Sequence, residues 1–153
     1  MKALENRIPP PIIALAFSAL IWWMAEYLPT IEIEYMLKLV IVSLLVVIGV
    51  LFDLSGLVSF RRARTTVNPL KLDKSSVLVN TGVYKITRNP MYVGLVFFLS
   101  AWSIYLNSPA ALIMVLGFIL YITLFQIIPE ERMLASLFGE EYMAYQSSVR
   151  RWL

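Results

Sequence analysis

Residues 89–129 read NPMYVGLVFFLSAWSIYLNSPAALIMVLGFILYITLFQIIP, and this stretch decides the fold. No Asp, Glu, Lys or Arg occurs in its 41 positions. As one α-helix it would be roughly 60 Å long at about 1.5 Å per residue, twice the hydrocarbon thickness of a bilayer. It must therefore fold back on itself. Asn107-Ser108-Pro109 supplies the break, with Asn or Ser as a helix cap and Pro at a first helical position. The expected elements are two helices, about 90–106 and 109–128.

Two further apolar runs lie upstream. Ile8 to Ala25 is uncharged and ends in Trp22 and Trp23, with Tyr27 just beyond, an aromatic grouping that suits a membrane–water interface. This run is long for the core of a signal peptide and its end is bulky, so it reads as a retained anchor. The next run extends from about Tyr35 to Phe60; it is uncharged from Leu39 to Phe52 and then contains Asp53. The expectation is an all-α, polytopic membrane protein forming one domain over 1–153. Its four spans are about 10–28, 36–60, 90–106 and 109–128. Continuous apolar runs without alternation argue against a barrel, and helices satisfy their own backbone groups in lipid.

Composition agrees. Of 153 residues, 59% are hydrophobic and 15% charged, against about 45–50% and about 25% in a soluble domain. There is no His and no Cys. That excludes Ser-His-Asp and Cys-His nucleophilic sites, His/Cys zinc or haem ligation, iron–sulfur clusters and disulfides. Chemistry falls to carboxylates, Arg, Lys, Tyr and amides.

The basic residues set an orientation. Lys2 and Arg7 precede the first span. Arg61, Arg62, Arg64, Lys71, Lys74, Lys85 and Arg88 fall in 61–90, and Arg132, Arg150 and Arg151 fall in the tail. Lys38 alone lies on the other side, beside Glu26, Glu32 and Glu34. By the positive-inside rule both termini, the loop 61–89 and the tail 130–153 are expected in the cytoplasm of a cell-membrane protein. The net charge of +3 then needs no nucleic-acid partner. In the tail, Leu134, Phe138, Tyr142, Tyr145, Val149 and Trp152 recur every three or four residues, which predicts an amphipathic helix broken at Gly139. Such a helix lies on the membrane surface or packs as a lid over the loop.

Several short strings can carry chemistry. In Arg88-Asn89-Pro90-Met91-Tyr92, Asn89 suits a helix cap and Pro90 a first helical position, and the free N–H groups of that helix end, with Arg88 beside them, could hold a carboxylate. Gly82 permits a turn or close approach of backbone to a ligand. Tyr84 and Tyr92 could stack on a flat base or a cation. Glu130 and Glu131 are either the acidic first turn of a new helix or a site for a cationic group. Asp53 lies within a span, where ionisable groups are costly, but also two turns from Arg61, and no role is assigned to it.

Taken in order, Leu78-Val79-x-Thr81-Gly82-x-Tyr84, Arg88-Asn89-Pro90-x-Tyr92-x-Gly94, Glu130-Glu131, Phe138-Gly139-Glu140-Glu141-Tyr142-x-x-Tyr145 and Val149-Arg150-Arg151 resemble the isoprenylcysteine carboxyl methyltransferase family in its small bacterial form. The phospholipid methyltransferases share a similar C-terminal core. The resemblance covers roughly residues 60–153. It implies a membrane methyltransferase that uses S-adenosylmethionine, releases S-adenosylhomocysteine and meets a lipophilic acceptor from the bilayer. It implies that Gly82, Tyr84, Arg88, Asn89, Pro90 and Tyr92 line the cofactor pocket. Glu130 and Glu131 would face the cofactor or the reacting end, Tyr142 and Tyr145 would close the site, and Arg88 and Glu131 would be its catalytic pair. No metal is implied. The eukaryotic members have Arg-His-Pro where this chain has Arg88-Asn89-Pro90. Asn cannot take a proton, so the match bears on cofactor binding more than on a shared acid–base step.

A sulfonium already carries a good leaving group, so methyl transfer is mainly alignment and exclusion of water. A carboxylate acceptor is ionised at neutral pH and needs no base, which a chain without His serves most simply. An amine acceptor, as in a phospholipid N-methyltransferase, needs help from Glu130, Glu131 or a Tyr. A non-enzymatic membrane subunit, whose motifs are only caps and anchors, is the remaining reading.

Overall fold

A computed structural model describes residues 8–63 and 77–153. Lys2, Arg7, Arg64, Lys71 and Lys74, which entered the charge argument, lie outside the described residues. The helices are α1 (Pro10–Ala25), α2 (Tyr35–Ala63), α3 (Pro90–Tyr105), α4 (Leu112–Ile122) and α5 (Ile128–Ser148). Short 3-10 turns occupy Gly82–Lys85 and Pro109–Ala111, and a π turn, Thr123–Ile127, joins α4 to α5. There is no strand among the described residues. Two helical runs, Tyr35–Ala63 and Pro109–Ser148, are long and apolar enough to cross a membrane, while α1 and α3 are apolar but shorter.

The break after α3 falls where the sequence predicts, but not through the expected cap. Asn107 takes a left-handed φ of 56°. Ser108 occupies the cap position without a side-chain cap bond. The turn is closed instead by Ser103, whose hydroxyl donates to the Ser108 carbonyl at 2.7 Å. On the same side Lys38 Nζ donates to Asn107 Oδ1 at 3.2 Å, clasping the start of α2 to the hairpin.

The fourth apolar run differs from expectation at its other end. Glu130 and Glu131 do lie in the first turn of α5, but no loop precedes it, and the helical run continues from Pro109 to Ser148. A proline within a helix lacks an N–H and clashes with the carbonyl four residues earlier. The π turn immediately before Pro129 widens the helix there and lets the chain pass. The interruption comes later, at Gly139, with φ 52° and ψ −124°.

Helices α1, α3 and α4 enclose the main core, around Ile13, Ile21, Leu99, Val115, Phe118 and Ile122. Helix α2 leans on the far side of α3 and buries only Gly49, Gly56 and Ser59. That crossing is close because it is made of glycine. A Cβ at Gly94 would overlap the Asp53 carboxylate and lie 2.9 Å from the Gly49 carbonyl oxygen. Asp53 is thus wedged in the α2–α3 seam, its Oδ1 buried with no hydrogen-bond partner among the described residues.

Past Gly139, α5 turns its apolar side inward. Tyr142 and Tyr145 are buried with Leu78, Val79 and Tyr84, and Leu134, Ala135, Phe138 and Val149 pack around them. The tail is therefore a lid on the segment before α3, one of the two placements its periodicity allows.

Candidate functional site

The segment before α3 is held by contacts on both sides. Gly82 opens the 3-10 turn at φ 62°, and a Cβ there would meet the Ser59 hydroxyl at 3.0 Å. Two residues on, Tyr84 is buried, with the Phe60 ring edge-on to it at 5.5 Å. The Tyr145 hydroxyl donates to the Tyr84 carbonyl at 2.7 Å, joining lid to turn. Pro90 is fully buried at the start of α3.

Asn89 stands at the cap position of α3 but makes no cap bond. Its Nδ2 donates instead to the Arg151 carbonyl at 2.9 Å. Thr87 Oγ1 donates to that same carbonyl at 3.1 Å, and the Arg88 N–H donates to the Arg150 carbonyl at 2.9 Å. Trp152 Nε1 donates to Thr123 Oγ1, in the π turn, at 3.2 Å. The last residues thus form a strap sewn along 87–89.

Arg88 is the knot of this stitching. Nη1 donates to the carbonyls of Gln146 at 2.8 Å and Val149 at 2.6 Å, and Nη2 donates to Glu131 Oε1 at 2.7 Å. Its Nε is buried and has no partner among the described residues. Arg151 takes Glu131 from the other side, Nε to Oε1 at 3.0 Å and Nη2 to Oε2 at 2.6 Å. Burial acts to raise the Glu131 pKa, but the hydrogen bonds and charges of Arg151 and Arg88 outweigh it, and the net direction is downward. Glu131 is a fixed carboxylate.

Glu130 is its opposite. Its one hydrogen bond among the described residues comes from the Tyr92 hydroxyl, 2.6 Å from Oε1. Burial pushes its carboxyl up to about 7; the Tyr92 bond opposes this and the Glu131 charge adds to it. Two adjacent carboxylates, past the last apolar residue of the fourth run, are thereby split into one that stays ionised and one that titrates near neutrality, a division of the kind that assigns acid and base roles. Tyr142 is pushed up to about 12, by burial first and then by the nearby Glu131. Burial also raises Tyr84 and Tyr145, so all three rings are neutral phenols at pH 7.

The structure brings Tyr84, Arg88, Tyr92, Glu130, Glu131, Tyr142 and Tyr145 into one neighbourhood at the end of α3 and the start of α5. Gly82 borders it. Asn89 and Pro90 support it from the backbone side. Both terminal nitrogens of Arg88 are spent on protein groups, which nothing local in the sequence marks. Arg151, Thr87 and Trp152 were given no role by sequence. Nothing local in the chain marks a partner 64 residues away, such as Thr87 for Arg151. Gln126, fully buried one turn before Glu130, was hidden because a search for charge passes over an amide.

The phospholipid methyltransferase family model matches residues 37–141, from the start of α2 to just past Gly139. An uncharacterised protein of Haemophilus influenzae is 48% identical over 63 residues, which are all of that protein and 41% of this chain. No solved structure matches the chain. With more than half of its length matched, including Gly82, Arg88, Tyr92, Glu130 and Glu131, the chain belongs to the phospholipid methyltransferase family of membrane methyltransferases.

Proposed function

We propose that the protein is an integral membrane methyltransferase that takes its methyl group from S-adenosylmethionine and delivers it to a lipophilic acceptor reaching the site from the bilayer. In this reading α1, α2, α3 and the 109–128 part of the last run are four spans, in the cell membrane, with both termini, the 61–89 loop and the site on the cytoplasmic side. The observation that carries it is the division between Glu130 and Glu131 beneath a tyrosine-rich lid.

The residues fit the cofactor. S-adenosylmethionine presents a carboxylate, an ammonium and a sulfonium. The unpartnered, buried Arg88 Nε is a donor suited to the carboxylate. Glu130 and the faces of Tyr84, Tyr92, Tyr142 and Tyr145 suit the cationic groups. Bound, the cofactor supplies an activated methyl on a good leaving group. The chain's part is to exclude water with the lid, hold Glu131 rigid through Arg88 and Arg151, and present Glu130 near its point of titration.

A carboxylate acceptor needs no base and remains the simplest chemistry for a chain without His. Glu130 supports a second reading. A carboxyl with a pKa of about 7 can take the proton of an ammonium acceptor such as a phospholipid headgroup. Purified protein in detergent is expected to bind S-adenosylhomocysteine by calorimetry, and absence of binding overturns the proposal. With methyl-labelled cofactor and membrane lipids, label in a base-labile ester supports the carboxylate reading, and label in a headgroup amine supports the other.

A further inference from the structure

Gln126 is a polar side chain with no surface exposure, set in the π turn of the last helical run. Its Nε2 donates to the Ile8 carbonyl at 3.0 Å, and this bond fixes which end of the amide is which. The other end, Oε1, is buried and accepts nothing among the described residues. Leaving a buried acceptor without a partner is costly, and native proteins keep few of them. Thr123, the other polar side chain of the same turn, is fully used. It donates to the Ile119 carbonyl at 2.6 Å and accepts from Trp152. The vacant bond of this turn therefore belongs to Gln126. π turns are rare and occur frequently at functional sites.

Position says which ligand would fill it. Gln126 precedes Glu130 by four residues, so the two share a helix face about 6 Å apart along the axis. The run enters the site from its apolar side, and Gln126 is the deeper residue. On the reading above the cofactor is held under the lid, beside Glu130, Glu131 and Arg88, and an acceptor entering from the bilayer lies on the Gln126 side of Glu130. Ile8 and Tyr92, the hydrogen-bond partners of Gln126 and Glu130, belong to one apolar cluster.

We infer that Gln126 determines acceptor specificity, its Oε1 accepting a hydrogen bond from an N–H or O–H on the reacting head of the lipophilic acceptor. This rests on the methyltransferase reading above and deepens it toward an amine or hydroxyl acceptor, because an ionised carboxylate has no hydrogen to donate. A site built to hydrogen-bond a donor rejects analogues lacking it far better than an apolar pocket rejects a change of size. Each methylation of an amine replaces one N–H, so the fully methylated product, which has none left, is held less tightly than unreacted acceptor.

The test uses detergent-solubilised protein loaded with S-adenosylhomocysteine. Dodecylamine and dodecyltrimethylammonium share chain and charge at pH 7 but differ in N–H donors. Wild type is expected to bind the amine about tenfold more tightly. In Gln126→Met that preference should fall within about twofold, with affinity for S-adenosylhomocysteine unchanged. Equal binding of the two by wild type, or full preference in Gln126→Met, overturns the inference. Should that variant fail to fold, wild type alone decides, through dodecanol against dodecyl methyl ether. A preference of about tenfold for the alcohol upholds the assignment of a donor-reading site, and equal affinity sinks it. Failure of the underlying reading is distinct, since wild type would then not bind S-adenosylhomocysteine before any amphiphile is added.

Discussion

Arg151 grips Glu131 through both carboxylate oxygens, at 3.0 and 2.6 Å, and so ties the last residues of the chain to the start of α5. The fork of a guanidinium matches a carboxylate in a way an ammonium cannot. The Arg151 side chain keeps 36% of its surface, so solvent screens the pair and its contribution is modest. Arg151→Lys is expected to cost about 1 kcal/mol of stability and to weaken S-adenosylhomocysteine binding several-fold, because the lid over the site loosens. Thermal melts and calorimetry in the same detergent check both. An unchanged affinity would mean that the strap is fastening only.

Arg88 occupies the buried side of the same carboxylate, with 9% of its side chain exposed. Its removal strands the carbonyls of Gln146 and Val149 and takes one of the two donors from Glu131 Oε1. Breaking a buried pair from one side costs about 3–5 kcal/mol. Arg151 remains to hold Glu131, which places Arg88→Ala near the lower end. Arg88→Lys restores charge but reaches fewer acceptors, so it should recover less than half of the loss in a melt. Full recovery by Lys would show that the fork geometry is unimportant here.

These two arginines also mark how far the sequence could be read. The uncharged length of 89–129 and the Asn107-Ser108-Pro109 break determine the hairpin because both are local facts about length and backbone. The three-to-four-residue period of the tail is local too, and α5 follows it through Tyr142 and Tyr145. Which surface that face meets depends on Leu78, Val79 and Tyr84, more than 50 positions upstream, and periodicity carries no such address. Asn89 takes the cap position but not the cap bond for the same reason. Its Nδ2 donates to a carbonyl 62 residues away, and in that orientation its side chain makes no bond to the helix N–H groups.

The α2–α3 seam offers a prediction about the fold. A Cβ at Gly94 would overlap Asp53 and approach the Gly49 carbonyl oxygen to 2.9 Å, neither of which is the free end of a long side chain. Gly94→Ala must push the helices apart, at a cost of about 1–3 kcal/mol. Gly117 is the control, since a Cβ there meets only Phe17 Cε1 at 3.4 Å. Gly117→Ala should melt within a degree or two of wild type, or slightly higher, because alanine lowers the entropy of the unfolded chain. If Gly94→Ala melts like Gly117→Ala, the seam is looser than the packing indicates.

Glu130 sets the pH dependence. Its carboxyl, ordinarily near 4.5, is raised to about 7 in the folded protein. Below 4.5 it is protonated in both folded and unfolded chains and contributes nothing to the pH dependence. Between about 4.5 and about 7 the unfolded chain has released the proton and the folded one retains it. The unfolded state then binds fewer protons, so stability falls as pH rises through this window and levels off above it. Glu131 is shifted the opposite way, so its contribution is lost only as pH falls below 4.5. The difference between wild-type and Glu130→Gln melts from pH 5 to pH 8 therefore isolates the Glu130 contribution. Wild type should lose stability across that range, and Glu130→Gln, which cannot titrate, should show a much flatter profile. Activity should move against stability. If the ionised carboxylate takes a proton from an amine acceptor, turnover rises from pH 6 to pH 8 in wild type and is low and flat in Glu130→Gln. A wild-type rate independent of pH over this range, together with a normal stability profile, would assign Glu130 to binding and leave the acceptor a group that needs no base.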